Sequence, residues 1–269
     1  MTSAGSGPDD DVLAPDLGTV LGKVVAVLFS FRMDEGSVPL AEFARRTGIA
    51  KGTLHRLLGD LVDARLLDRR EDGYRLGNRV FQLGMRASVE RGLLEVATPF
   101  MEDLYERTHE TVHLGVLDGD AVVYVAKFGG HRQVDVPSRV GGRMPLHCTA
   151  IGKVLLAWST PELSARVLTG QLARRTPRTV TAPGLLRRQL ERIRETGIAF
   201  EHEESAVGVV CVAAPILDAE GEPMGAISVS GPVTRFRPES AVPSLRAATA
   251  GVSAVVARRA QHPDVVLRE

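Results

Sequence analysis

The run from Leu54 to Val62 constrains this chain more than any other segment. Leu54, Leu57, Leu58, Leu61 and Val62 fall at i, i+3, i+4, i+7 and i+8, which puts five apolar side chains on one side of a helix. The opposite side carries Lys51, Gly52, Thr53, His55, Arg56 and Gly59, all polar, basic or small. A shorter apolar repeat, Leu40, Phe43 and Ala44, precedes it, with Pro39 suited to the start of that helix and Gly48 to its end. Two helices separated only by Gly48-Ile49-Ala50 predict a helix-turn-helix over 40–62, the second helix beginning near Lys51. Leu66 and Leu67 then start a strand, Glu71-Asp72-Gly73 turns it and Tyr74-Arg75-Leu76 returns, which predicts a hairpin over 66–76.

A formal net charge of zero over 269 residues looks unfavourable to a polyanionic partner, but the charge is unevenly spread. Asp9, Asp10, Asp11 and Asp16 stand in a segment without Lys or Arg, whereas from Arg45 to Arg91 eleven Lys and Arg face six Asp and Glu. That local excess is what a phosphate backbone requires, although ordinary solvated faces carry as much. A helical hairpin with a basic edge would also fit 40–62. A strand-turn-strand directly after it is not needed by a plain hairpin, and favours a winged helix-turn-helix. On that reading Lys51, Gly52, Thr53, His55 and Arg56 address double-stranded DNA, with Arg56 on guanine or phosphate and Thr53 and His55 at base edges. Gly52 and Gly59 permit close approach, and Arg69, Arg70 and Arg75 on the wing are placed to touch phosphates.

The rest of the chain reads as a second, larger domain. Val20, Leu21, Val24, Val25 and Leu28 predict a first helix with a buried stripe, and Asn78–Ser88 and Leu93–Thr108 two helices joined around Glu90–Gly92. Beyond them, Val112–Leu117 with Ala121–Phe128 and Val207–Leu217 with Met224–Ser230 predict two hairpins. Gly129-Gly130 and Gly141-Gly142 bracket a flexible stretch, and helices are expected from Thr149, over Leu185–Thr196 and through Val242, Leu245, Val252, Val255 and Val256. The expected fold class is α+β in two domains: an acidic, disordered tail over 1–16, a DNA-binding domain over 17–79, a linker helix over 80–93, and an effector-binding and oligomerisation domain over 94–263. Hydrophobic residues at 44% and charged residues at 25% are ordinary for a globular protein. No segment reads as a signal peptide or approaches the ~20 apolar residues of a membrane span, so a cytoplasmic location and no membrane partner are expected. Two cysteines, Cys148 and Cys211, are too few for a disulfide framework.

Three ordered motifs carry a resemblance. Leu40–Ala44, Thr47-Gly48-Ile49, Thr53–Leu58 and Tyr74–Gly77 resemble the winged-helix domain of the IclR family of bacterial regulators. Pro145–Lys153, Gly208–Pro215 and Ala226–Pro232 are similar to that family's effector-binding domain, which is GAF-like, an antiparallel sheet flanked by helices. The resemblance covers about Leu17 to Ala260. It implies a transcriptional regulator, a repressor rather than an activator, that binds an operator as a homodimer or tetramer and responds to a small organic acid, aromatic acids included. It departs at Ala50, where the family has Ser or Thr, at Gly52 in place of Ser, and at Val210 in place of Arg.

The residues of the second domain point to a pocket. Ser228 and Ser230 alternate with Ile227 and Val229, so both hydroxyls leave one face of a strand. A helix beginning near Thr149 offers the free amides of Ala150 and Ile151 to a carboxylate, and Cys211 is small enough to leave space beside them. The resemblance adds Glu201 and aligns Ala150, Ile151, Glu201, Cys211, Ser228 and Ser230 with effector contacts. Without it, Glu201 in the acidic run Glu201–Glu204 reads as solvated. His147-Cys148, with Cys211 and His113 elsewhere, raises a zinc site or a thiol hydrolase as competing readings, but neither has ligand spacing or a nucleophile motif. No catalytic residue, metal or cofactor is expected.

Overall fold

The computed structural model describes residues 15–32, 35–84, 89–129 and 136–261. Most of the expected tail, Asp34, the end of the helix expected to Ser88, Gly130 and Pro263 lie outside them. The chain divides into two compact units, Met1–Ser88 and Val89–Glu269.

The first unit runs α1 (Val20–Phe29), α2 (Leu40–Thr47), α3 (Lys51–Asp63), β1 (Leu67–Arg70), β2 (Gly73–Leu76) and α4 (Asn78–Gly84). Its core gathers Val27, Val38, Phe43, Ile49, Leu54, Leu57, Leu58, Leu61, Leu67 and Tyr74. The stripe expected on α1 is corrected: Val20 and Leu21 are 71% and 72% exposed. The helix instead turns Val24, Val27 and Leu28, with Phe31 beyond it, onto the core, where Phe31 meets Phe43 edge-on at 5.2 Å. Gly48, at φ 70°, ends α2 in the left-handed region that a side chain disfavours and sets the tight turn into α3. The amides of Arg65 and Leu66 close the far end of α3 on Val62 O and Leu61 O, which keeps Leu66 out of the strand expected to include it. Val38 and Tyr74 exchange both backbone hydrogen bonds, at 2.8 and 3.0 Å, and so tie the wing to the segment before α2. A Cβ on Gly73 would lie 2.4 Å from Val38 O, so glycine is required there.

The second unit continues with α5 (Val89–Thr108), β3 (Thr111–Asp118), β4 (Ala121–Phe128), β5 (Arg143–Pro145), α6 (Ala150–Ala157), α7 (Pro161–Thr169), α8 (Pro183–Thr196), β6 (Ala199–His202), β7 (Val209–Leu217), β8 (Pro223–Pro232) and α9 (Pro238–Gln261). The break expected at Glu90–Gly92 is absent. One exposed glycine costs a helix only about 1 kcal/mol, and Leu93, Val96, Ala97, Met101 and Leu104 hold α5 on the core. Six antiparallel strands stand in the order β5-β4-β3-β8-β7-β6. Side chains alternate between two buried layers: Ile227 and Val229 face α5 and α9, while Ala226 and Cys211 face α6, α7 and α8. Within α9, Pro238–Arg259 is long and apolar enough to span a membrane by length and composition, which the sequence reading did not anticipate. Its Ala241, Leu245, Ala248 and Val252 are packed in the core.

Candidate functional site

In the first unit, burial divides α3 into two faces. Leu54, Leu57, Leu58 and Leu61 are buried, whereas Lys51, Gly52, His55, Arg56, Gly59 and Asp60 are exposed and Thr53 is half-buried. A Cβ added at Gly52 or Gly59 would meet nothing within 4 Å, so both leave the outer face flat. Ala50 at the N-cap supplies no side-chain acceptor, which leaves the first amides of α3 without partners among the described residues. The basic excess is partly consumed. Arg46 binds Glu35 and Glu42 and donates to Ser30 O, Arg45 pairs with Glu42, and these contacts hold the Glu42 carboxyl down at about 2. On the wing, Arg75 donates to Asp68 Oδ2 at 3.0 and 2.9 Å across the strand pair and stays exposed. Arg69 and Arg70 are exposed beside it.

In the second unit, strand register builds what no linear motif displays. Cα pairing aligns Thr111, Ser230, Cys211 and Glu201 across β3, β8, β7 and β6, and aligns His113 with Ser228 in the next row. All six are buried in the layer that α6 covers. Thr149 caps α6 by accepting from Gly152 N at 3.0 Å, and the amides of Ala150 and Ile151 find no acceptor among the described residues. Ala150, Ile151, Glu201, Cys211, Ser228 and Ser230 thus surround one cavity, together with His113, Tyr124, Ser138, Thr149 and Ser205. Its free space is only ≈ 20 Å³, about one water. The wall that contributes Val136, Pro137 and Ser138 includes buried Val136 and Ser138.

Charge within this layer is restrained. Glu201 is fully buried rather than solvated: Oε1 accepts from Glu204 N at 2.5 Å and Ser205 N at 3.0 Å, and Oε2 has no hydrogen-bond partner among the described residues. Burial raises its carboxyl above the usual range, against the lowering pull of Cys211 and of those two amides. His113 shares a 2.7 Å hydrogen bond with Ser138, leaves Nδ1 without a partner among the described residues, and is pushed down to about 3 by burial and by Lys127. Fully buried Lys153 pairs with Glu204; neither stood out in the sequence, because a lysine within an apolar helix and an acid within an acidic run both read as surface.

The thiol and zinc readings lose their geometry. Burial raises Cys148 to about 12 and Cys211 well above the thiol range, so both are protonated. His147 Nε2 lies 3.0 Å from Ala173 O. Among the described residues no three His, Cys, Asp or Glu side chains group as metal ligands.

Known proteins resemble both units. The family model for the IclR helix-turn-helix domain matches residues 20–71, and that for the bacterial transcriptional regulator IclR C-terminal matches residues 85–254. The HTH-type transcriptional regulator KdgR of Escherichia coli is 34% identical over 228 residues, 84% of this chain and 86% of that protein. The transcriptional repressor IclR of Escherichia coli is 31% identical over 232 residues, 83% and 84% of the two chains. The crystal structure of an IclR homolog complexed with 4-hydroxybenzoate from Microbacterium hydrocarbonoxydans superposes with a TM-score of 0.82 at 33% identity, covering 88% of this chain and 98% of that one.

Proposed function

Because the chain belongs to the IclR family of bacterial DNA-binding transcriptional regulators, which are not enzymes, we propose that it is a cytoplasmic repressor whose hold on an operator is set by a small organic acid. The observation that carries this reading is the presence in one chain of two separate surfaces: an exposed, basic, glycine-flattened face on α3 and a buried polar row beneath the N-terminus of α6. Lys51, Gly52, Thr53, His55 and Arg56 lie in the major groove, and Arg69 and Arg70 touch flanking phosphates. In the second unit the ligand carboxylate takes the amides of Ala150 and Ile151, and Ser228, Ser230 and Glu201 bond its remaining polar group. An aromatic acid is favoured by the 4-hydroxybenzoate named in the Microbacterium structure. With ≈ 20 Å³ available, such a ligand enters only by displacing part of the wall at Val136–Ser138, so binding and rearrangement are one event.

Gel-shift titrations on the intergenic DNA upstream of the gene test both surfaces. Arg56→Ala should weaken specific binding by about 1–3 kcal/mol if the guanidinium reads a base. Ser228→Ala with Ser230→Ala should leave operator affinity intact and abolish the response to the acid. No preference of the parent protein for that DNA over random DNA at physiological salt would sink the regulator reading, and an unchanged acid response in the double variant would remove the serines from the pocket.

A further inference from the structure

A larger hollow lies at the other end of the polar row. Its free space is ≈ 370 Å³ against ≈ 20 Å³ in the cavity above, within the range of small-ligand pockets, about 300–1,000 Å³. Strand β6 is the open edge of the sheet, α8 packs on one face and α9 on the other, and the hollow occupies the place where these layers meet past that edge.

Its chemistry is two-sided. Ile193 and Ile198, both buried, with half-buried Phe200 and Val242, make an apolar floor. Arg192 and Arg246 are exposed in its wall; Arg246 is held by a 2.7 Å hydrogen bond to Thr196 O, and no carboxylate pairs with either among the described residues. The single acid of the lining is Glu204, 6% exposed, whose Oε1 is taken by Lys153 and whose Oε2 has no donor among the described residues. Gln189 Oε1, in the same lining, is buried and unpartnered as well. Buried acceptors without donors are costly and are normally satisfied.

We propose that this hollow is a second ligand site, for an amphiphilic carboxylate that also carries a hydroxyl or amino donor. The apolar body lies on Ile198, Phe200 and Val242, the carboxylate meets the guanidinium groups of Arg192 and Arg246, and the donor satisfies Glu204 Oε2. Glu204 also links this site to the first cavity. Its amide donates to Glu201 Oε1 at 2.5 Å, and its partner Lys153 sits one turn into α6, whose first residues line that cavity. A ligand that pulls on Glu204 therefore changes the affinity of the first cavity, and the reverse holds by the same factor.

Isothermal titration of the full chain with indole-3-acetate, which has an apolar body, a carboxylate and one N–H, tests the assignment. Binding should weaken at least about tenfold in Arg192→Gln with Arg246→Gln. It should vanish in Val242→Trp, which fills the floor, and persist in Ser228→Ala with Ser230→Ala. Naphthalene-1-acetate, similar in size but without a donor, should bind about tenfold more weakly. The exposed arginine pair is replaced without touching the core, so that arm stands even if Val242→Trp unfolds. No binding by the parent chain, undiminished binding in the arginine variant, or loss in the serine variant alone overturns the second site. Naphthalene-1-acetate binding as tightly removes Glu204 from it. A sedimentation shift in Val242→Trp with ligand binding retained makes the hollow a contact between copies instead, and the proposal fails.

Discussion

Glu201 and Glu204 stand three positions apart and are buried alike, yet their carboxyls meet different surroundings. Glu204 has the ammonium of Lys153, and a buried pair of opposite charges tolerates burial where a single charge does not. Glu201 has amides and a thiol but no cation, so its proton is retained above the usual carboxylate range. His113 is the converse case, held neutral down to about 3 from an ordinary 6.5. Between those values the unfolded chain takes up a proton that the folded chain refuses. Stability therefore falls as the pH is lowered through this window, by up to about 1.4 kcal/mol per pH unit. Glu201 acts with the opposite sign, since its native proton is worth most below 4.5 and its contribution is lost as the pH rises. Urea midpoints measured from pH 7 to 4.5 should decline less steeply for His113→Leu than for the parent; equal slopes would show that another group carries the acid sensitivity.

At the scale of elements, α3 is the surface proposed to read DNA and, like α2 and α8, has no side-chain cap at its start. Ala50 offers no oxygen to the first turn, whereas Thr19, Thr149 and Thr160 cap α1, α6 and α7 by side-chain acceptance. Ala50→Ser should add about 1 kcal/mol to helix stability and slow hydrogen exchange at the amides of Gly52–Leu54; unchanged exchange would mean the packed leucine face alone orders the helix. Elements such as α3 were legible because their apolar period is local, and the wing because Gly73 marks its turn. Helix α7 was overlooked although Thr160-Pro161 is a start signal, since in so short a helix Leu163 and Val167 make a single i, i+4 repeat. Strand β6 was hidden inside an acidic run. Glu201 is buried because β7 pairs beside it, a register that no run of residue types in the sequence displays. The polar row from Thr111 to Glu201 is invisible for the same reason: three registers, not one motif, assemble it.

For the molecule as a whole, one recognition helix reads only a few base pairs, so the function proposed above calls for two chains on two half-sites. Inserting five base pairs between the half-sites turns one of them about half a helical turn away. Affinity in a gel shift should fall to that of a single half-site; unaltered affinity would exclude a rigid paired arrangement. The alternation in β8 has a consequence for how such a sensor diverges. Ser228 and Ser230 face the cavity only because Ile227 and Val229 face α5 and α9. Loss of one codon before Ile227 would exchange the two faces along the rest of the strand. Hydroxyls would enter a dry layer and branched hydrocarbons would plug the cavity. Under the function proposed above, point substitution around the row therefore changes which acid a lineage senses. A single-residue insertion or deletion within β8 instead puts the sensing function and the core at risk in one step, so the strand's length should be more constrained than its composition.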